Sequence, residues 1–192
     1  YLKLLRDRVS DLDRADLGQR LNSLYEQSKS TFRMLEDLLV WSKNDLFNLQ
    51  PDKKDFDLQN SLEKVIHYLD AEIEIKEIQI LKDISAKKTT INGDQKMIET
   101  ALRNVLSNSI QYTPYKGKIS FKLFNERDKL SIEIEDFGIG MTEEELDNLF
   151  KMKDNNRTTG GAGIGLLISK DFLDKNEAEI KVQREQDVGT KF

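Results

Sequence analysis

The 192-residue chain has no cysteine, two prolines, one tryptophan and one histidine. Without cysteine there is no disulfide and no thiolate zinc site, and a reducing compartment is compatible with the composition. No apolar run approaches the roughly 18 residues that cross a bilayer, and the opening YLKLLRDRVSD lacks the pattern of a signal peptide. Direct membrane contact is not expected of this stretch, and any anchor is expected outside it. Charge of one sign is also missing: 30 Lys and Arg stand interspersed with 35 Asp and Glu, for a formal charge of -5. A nucleic-acid-binding protein would show a concentrated basic face instead. What remains is globular material, 38% apolar and long enough for one ordinary domain with a smaller appendage.

Two regions differ in rhythm. From Leu17 to about Asn48 apolar residues recur at helical and heptad spacing, one seam through Leu17, Leu21, Leu24, Leu35 and Leu38, a second through Tyr25, Phe32, Leu39 and Leu46. A hairpin whose first arm is the stub Tyr1–Val9 cannot bury both, so a partner chain and a dimeric four-helix bundle are expected. Residues 51–56, with Pro51 and a charge cluster, read as a linker. Beyond it, helix and strand alternate. Asp57 can cap a helix running to about Lys76, IQILKDI is strand-like, and Asp94 can cap a second helix. KISFKLF and KLSIEIE alternate with period two and predict an antiparallel hairpin. Thr142 with Glu145 forms a capping box, Gly165 opens another helix, and the chain closes on strand-like EIKVQ and TKF. The expected fold is α+β, a two-layer sandwich with helices on one face of a mixed sheet.

Two patterns carry chemistry. ALRNVLSNSIQYTP, residues 101–114, has an apolar stripe at helical spacing and places Asn104 and Asn108 on one strip of surface, four residues apart. Six of the ten glycines fall between residues 138 and 165, in DFGIGM and GGAGIGL. Glycine inside an element costs about 0.5–1 kcal/mol relative to alanine, so such density marks positive φ or close backbone approach. The second cluster runs into LLISKDFLDK, a good helix, and aims free N–H groups at one point, which suits a phosphate chain.

The order of an asparagine-bearing helix ending in YTP, then DFGIGM, LFKMK, GGAGIGL and VGTKF resembles the ATP-binding domain of sensor histidine kinases, in the Bergerat (GHKL) superfamily. The resemblance covers about residues 55–192; RMLEDLLVWSK and FDLQNSLEKVI extend it back to the second helix of that family's dimerisation hairpin. It implies a partial hairpin over residues 1–50, a linker over 51–56 and a catalytic domain over 57–192. It also implies ATP and Mg²⁺ as cofactors, homodimerisation through the hairpin, a response regulator receiver domain as partner, and a cytoplasmic place in a membrane-bound receptor.

Residue by residue, the resemblance implies that Asp136 accepts the exocyclic amine of adenine. Gly138 and Gly140 let the backbone approach the base, and Tyr112 stacks near its face. Asn108 is the expected Mg²⁺ ligand through its amide oxygen, with Asn104 beside it. Hydrolytic relatives carry a glutamate where Asn104 stands, so ATP here is expected to be kept for phosphoryl transfer. Met141, Gly161, Gly163, Gly165, Leu166 and Thr190 complete the expected nucleotide contacts. KMKDNNRTT would be the lid, with Arg157 and Lys151 as phosphate cations; it is shorter than the family's usual lid. Gln111 departs from the usual lysine or arginine, and Asn176 stands where a glycine usually ends the helix, as a left-handed cap. The family's H-[ED]-L-R-x-P acceptor is absent; the only histidine, His67, lies in EKVIHYLD and reads as structural. Self-phosphorylation is therefore not expected. The alternative is a degenerate, non-catalytic nucleotide-binding or dimerisation module.

Overall fold

The computed structural model describes residues 50–127, 129–150, 162–185 and 189–192, together with Gly18 and Ser28. The helical seams of residues 1–49 and the lid lie outside them.

The expected α+β sandwich is what forms. A five-stranded sheet has the order β2-β4-β5-β7-β6, where β2 is Gln79–Ile84, β4 Lys118–Glu126, β5 Lys129–Asp136, β6 Gln183–Glu185 and β7 Gly189–Lys191. β2 runs parallel to β4 and all other pairs are antiparallel, so the sheet is mixed. The alternating runs at 118–124 and 129–135 form the β4–β5 hairpin as their period predicts, with Phe121 opposite Ile134. Helices α1 (Leu58–Tyr68), α2 (Asp70–Ile75), α3 (Gln95–Tyr112) and α5 (Ala162–Lys175) contribute to the core, and α4 (Glu143–Asn148) is a short surface turn with no buried residue. Leu62, Ile66 and Ile73 meet Val105, Leu106 and Ile110 over Ile119, Phe121, Ile134 and Leu166. Burying each such side chain contributes about 1.5–3 kcal/mol.

Local signals placed the helix starts. Asp57 accepts the Asn60 N–H at 2.8 Å, Asp94 accepts those of Lys96 and Met97, and Thr142 with Glu145 closes a capping box. Several boundaries differ from expectation. Residues 54–56, read as linker, belong to strand β1 (Lys54–Asp57), which pairs antiparallel with β3 (Thr90–Gly93) in a separate ribbon. The helix expected from Asp57 to Lys76 breaks at Leu69, whose N–H bonds back to Ile66 as its side chain stays buried. The helix expected to open at Gly165 begins at Ala162, and the last strands start at Gln183 rather than Glu179.

Asn176 is not the left-handed residue. Glu177 is, at φ 58, and the N–H groups of Glu177 and Ala178 return to Asp174 and Leu173 in the two-bond closure usual after a helix. Asn176 is buried instead: its amide donates to Phe172 O, and its Oδ1 accepts the Asp94 N–H at 2.6 Å. Asp94 also accepts the Asp52 N–H through Oδ2 at 3.0 Å. One corner therefore joins the incoming chain, the start of α3 and the end of α5. His67 is on the surface, with Nδ1 2.6 Å from Asp70.

Candidate functional site

α3 is the spine of the site. Its apolar stripe faces the sheet, so the residues between the stripe and solvent are half-buried: Asn104, Asn108 and Tyr112. Gln111 is exposed. At about 1.5 Å per residue, Asn104 lies roughly 6 Å along the axis from Asn108.

At the C-terminal end of α3 stands Asp136, the last residue of β5. It is 3% exposed, and burial pushes its carboxyl up to about 6. Opposing that shift, the Gly138 N–H donates to Oδ1 at 3.1 Å, and the Thr190 backbone and Ser109 hydroxyl also favour the charged form. Thr190 sits opposite Asp136 across the β5–β7 pair and is itself buried. The Ser109 hydroxyl, though close enough to act on the carboxylate, forms no hydrogen bond of ordinary length. Among the described residues its Oγ is the one buried side-chain polar atom without a partner, and buried hydroxyls of that kind normally meet a water or a ligand.

Two glycines here are required by close contact. A Cβ on Gly138 would lie 2.4 Å from the Tyr112 carbonyl oxygen. A Cβ on Gly189 would lie 1.9 Å from the carbonyl oxygen of Asp136, and its φ of +142 favours glycine. Gly140 has φ 69 and lies with half-buried Met141 in the loop between β5 and α4. That short helix approaches the site: burial raises the Tyr112 phenol above its ordinary range, and the charge of Glu145 adds to the effect.

The other end is built on α5. Asn104 donates through Nδ2 to the Gly165 carbonyl at 2.9 Å and to Ser169 Oγ at 3.2 Å, while Ser169 donates to the same carbonyl. Gly165 O is an acceptor only, which fixes the orientation of the amide. Gly163 and Gly165 thus lie in the first turn of α5. The Leu166 side chain is not available to a ligand, because it is 1% exposed and belongs to the core; only its backbone could take part. Asn108 makes no side-chain hydrogen bond among the described residues. None of those residues forms a group of three or more His, Cys, Asp or Glu able to hold a metal. Arg157, Lys151 and Gly161 lie outside the described residues. On the flank of α3 toward α1 a groove of about 320 Å³ runs between Lys64, Tyr68, Lys96, Glu99 and Arg103, and it includes none of the site residues.

The structure therefore brings Asp136, Gly138, Thr190 and the Tyr112 backbone together, and joins Asn104 of α3 to Gly165 of α5. The sequence pattern missed Ser109, Ser169 and Gly189. Ser109 had a signal, as the neighbour of Asn108 on the sheet-facing side, and so had Gly189, before Thr190.

A mixed sheet backed by helices, with a buried carboxylate at one end of an asparagine-bearing helix and a glycine-opened helix at the other, defines a nucleotide-binding sandwich. The chain belongs to the family of histidine kinase-, DNA gyrase B- and HSP90-like ATPases, which matches residues 93–192. Among characterised relatives it is similar to the signal transduction histidine-protein kinase ArlS of Staphylococcus aureus (strain USA300), 28% identical over 201 residues, covering 100% of this chain and 43% of ArlS. The chain thus spans less than half the length of the curated relatives it matches. The histidine kinase AdeS of Acinetobacter baumannii has a similar fold, with TM-score 0.70 and 21% identity over 99% of this chain and 91% of that one. So does histidine kinase ThkA in complex with the response regulator TrrA, with TM-score 0.76 and 18% identity over 99% of this chain and 54% of that one. Full-length ShkA in complex with AMPPNP gives TM-score 0.73 at 20% identity, covering 94% and 38%.

Proposed function

We propose that this chain is the ATP-binding catalytic part of a sensor histidine kinase. It binds Mg-ATP and transfers the γ-phosphoryl group to a histidine on a helical hairpin, for relay to a response regulator aspartate. The observation that carries this reading is Asp136, a buried carboxylate with an orphan hydroxyl beside it and glycines that let a planar ring approach. Such an acceptor selects the exocyclic amine of adenine over the oxygen that guanine presents there. Gly140, Met141, Thr190 and Tyr112 line the same end.

At the other end Asn108 would hold Mg²⁺. A half-buried amide oxygen with no hydrogen-bond partner among the described residues fits a hard cation, and as those residues hold no carboxylate cluster the remaining ligands would be phosphate oxygens and water. Bound there, the ion would neutralise charge on the transferring group. The backbone of Gly161, Gly163, Gly165 and Leu166, with Lys151 and Arg157, would cradle the phosphates. Residues 1–50 would supply the dimerisation hairpin, and its exposed face the receiver-docking surface. The ThkA–TrrA and ShkA–AMPPNP complexes support partner and nucleotide by analogy of fold.

Asn104 cannot take a proton from water, so intrinsic hydrolysis is expected to be slow. Asn104→Glu is expected to raise it, while replacing two donated hydrogen bonds by carboxylate–carbonyl repulsion at Gly165 and losing about 1–3 kcal/mol of stability. Phosphate release and a thermal melt check the two effects; rapid turnover by the unsubstituted chain would contradict the role. Ser109→Ala is expected to leave the nucleotide-free protein as stable or up to about 1 kcal/mol more stable, and to weaken nucleotide binding severalfold. A lower melting temperature in Ser109→Ala would show that the hydroxyl is bonded after all.

The deciding experiment is label transfer from γ-labelled ATP to an added histidine-bearing hairpin. The exposed, neutral Gln111 favours one second reading, a non-catalytic nucleotide-binding module. Nucleotide binding with no labelled hairpin under any condition would select it.

A further inference from the structure

The last turn of α3 is held by a lysine from outside the helix. Lys76, the residue that ends α2, donates its ammonium to three backbone carbonyls: Ile110 at 2.8 Å, Gln111 at 2.8 Å and Thr113 at 2.9 Å. An ammonium carries three protons, so this geometry directs one to each carbonyl. The final carbonyls of a helix have no partner within it and carry the negative end of its dipole, and a cation meets both needs. The Lys76 carbonyl also accepts the Lys116 N–H at 2.8 Å, which ties the turn between α3 and β4 to the same residue.

The carbonyl skipped in this series is that of Tyr112. It is the surface on which Gly138 rests, with room for a hydrogen and none for a Cβ, which would come to 2.4 Å. Gly138 in turn aims its N–H at Asp136 Oδ1. Fixing the carbonyls on both sides of residue 112 fixes the tilt of the peptide groups between them, and with it the seat of Gly138. β4 adds a second tie, because Lys118 O accepts the Phe137 N–H.

We propose that Lys76 is a positioning residue for the adenine end of the site: it sets the Tyr112 peptide, and through Gly138 the acceptor geometry of Asp136, without touching the nucleotide. The nucleotide half of this proposal rests on the function proposed above; the positioning of Gly138 and Asp136 does not. Sequence gives no hint of it, because a lysine just past a short acidic helix and followed by Glu77 reads as surface charge.

The test uses the whole chain, with and without an ATP analogue, at a temperature where each variant is folded. In Lys76→Met the Gly138 amide resonance and the Asp136 carboxyl titration are expected to shift in the nucleotide-free protein, and analogue affinity to fall about tenfold, as for other groups that orient a direct contact. A lower melting temperature with Gly138, Asp136 and affinity all unchanged would overturn the proposal. If Lys76→Met does not fold, Lys76→Arg decides. Its planar fork cannot meet three converging carbonyls, so the same readouts are expected to move, by less. Unmoved readouts in a folded arginine variant would overturn it equally. Shifts at Gly138 and Asp136 in a protein that binds no nucleotide, unsubstituted chain included, would uphold the positioning and sink the nucleotide reading alone.

Discussion

Asp136→Asn is expected to weaken ATP binding at least a hundredfold while making the nucleotide-free protein more stable at neutral pH. The two effects have one origin. The carboxylate is 3% exposed, and its folded pKa of about 6 lies above the ordinary value of 3.8 that the unfolded chain would show. The folded state therefore holds the extra proton between these values, and stability falls as pH rises through that window and stays lower above it. At pH 7 the charge costs on the order of 3 kcal/mol, which is what burial leaves after the opposing hydrogen bonds from the Gly138 and Thr190 backbone. Asparagine keeps the shape without the charge, so the melting temperature at pH 7.5 should rise and the dependence between pH 4 and 6 should flatten. The affinity loss follows from replacing a charged acceptor by an amide whose NH₂ opposes the adenine amine, roughly 3 kcal/mol. For the unsubstituted chain, affinity should fall as pH drops below about 6, where the free carboxyl takes up its proton. Calorimetry at two pH values reads both. Undiminished binding by Asp136→Asn would remove Asp136 from the nucleotide site, and a lower melting temperature at pH 7.5 would mean that burial is not the dominant influence.

Gly189→Ala should cost at least about 3 kcal/mol of stability, among the larger effects of a single methyl group. The added carbon would sit 1.9 Å from Asp136 O, and the backbone at φ +142 is unfavourable to an alanine even in open space. Relief requires β7 to move away from β5. That displaces Thr190 from Asp136 and uncovers the Phe192–Ile134 backbone pair, bonded at 2.8 Å and 3.0 Å. Urea unfolding measures the loss. A midpoint close to that of the unsubstituted protein would mean that β7 can be re-seated without strain.

What could be read before any coordinates were those features whose cause is local. Asp57, Asp94 and the Thr142–Glu145 pair announce helix starts because a cap acts within four residues. The β4–β5 hairpin shows in its period because one face is buried and the other is not. The order of asparagines and glycines gave the family because several short motifs each require a backbone that only certain residues allow.

What stayed hidden depends on partners distant in sequence. β3, with the sequence TING, is too polar and short to stand out, and exists because β1 pairs with it from Lys54 opposite Gly93. Leu69 interrupts a helix with a residue that favours helix, since its burial against the core decides the backbone. Asn176 looked like a left-handed cap because asparagine tolerates that conformation; the neighbouring Glu177 bears it, and the amide is drawn inward by Asp94. The roles of the glycines also divided on contact. Gly138 and Gly189 are sterically obliged, and Gly165 offers its carbonyl to Asn104.

The corner at Asp94 has a practical consequence for anyone building chimaeras from this domain. A splice made upstream of Asp52 leaves its amide in place and transplants the nucleotide module with both long helices anchored. One made a few residues later severs the Asp52 amide and the Lys53–Glu177 pair, 2.6 Å long, together. The graft would then carry a loosened root under α3 and α5.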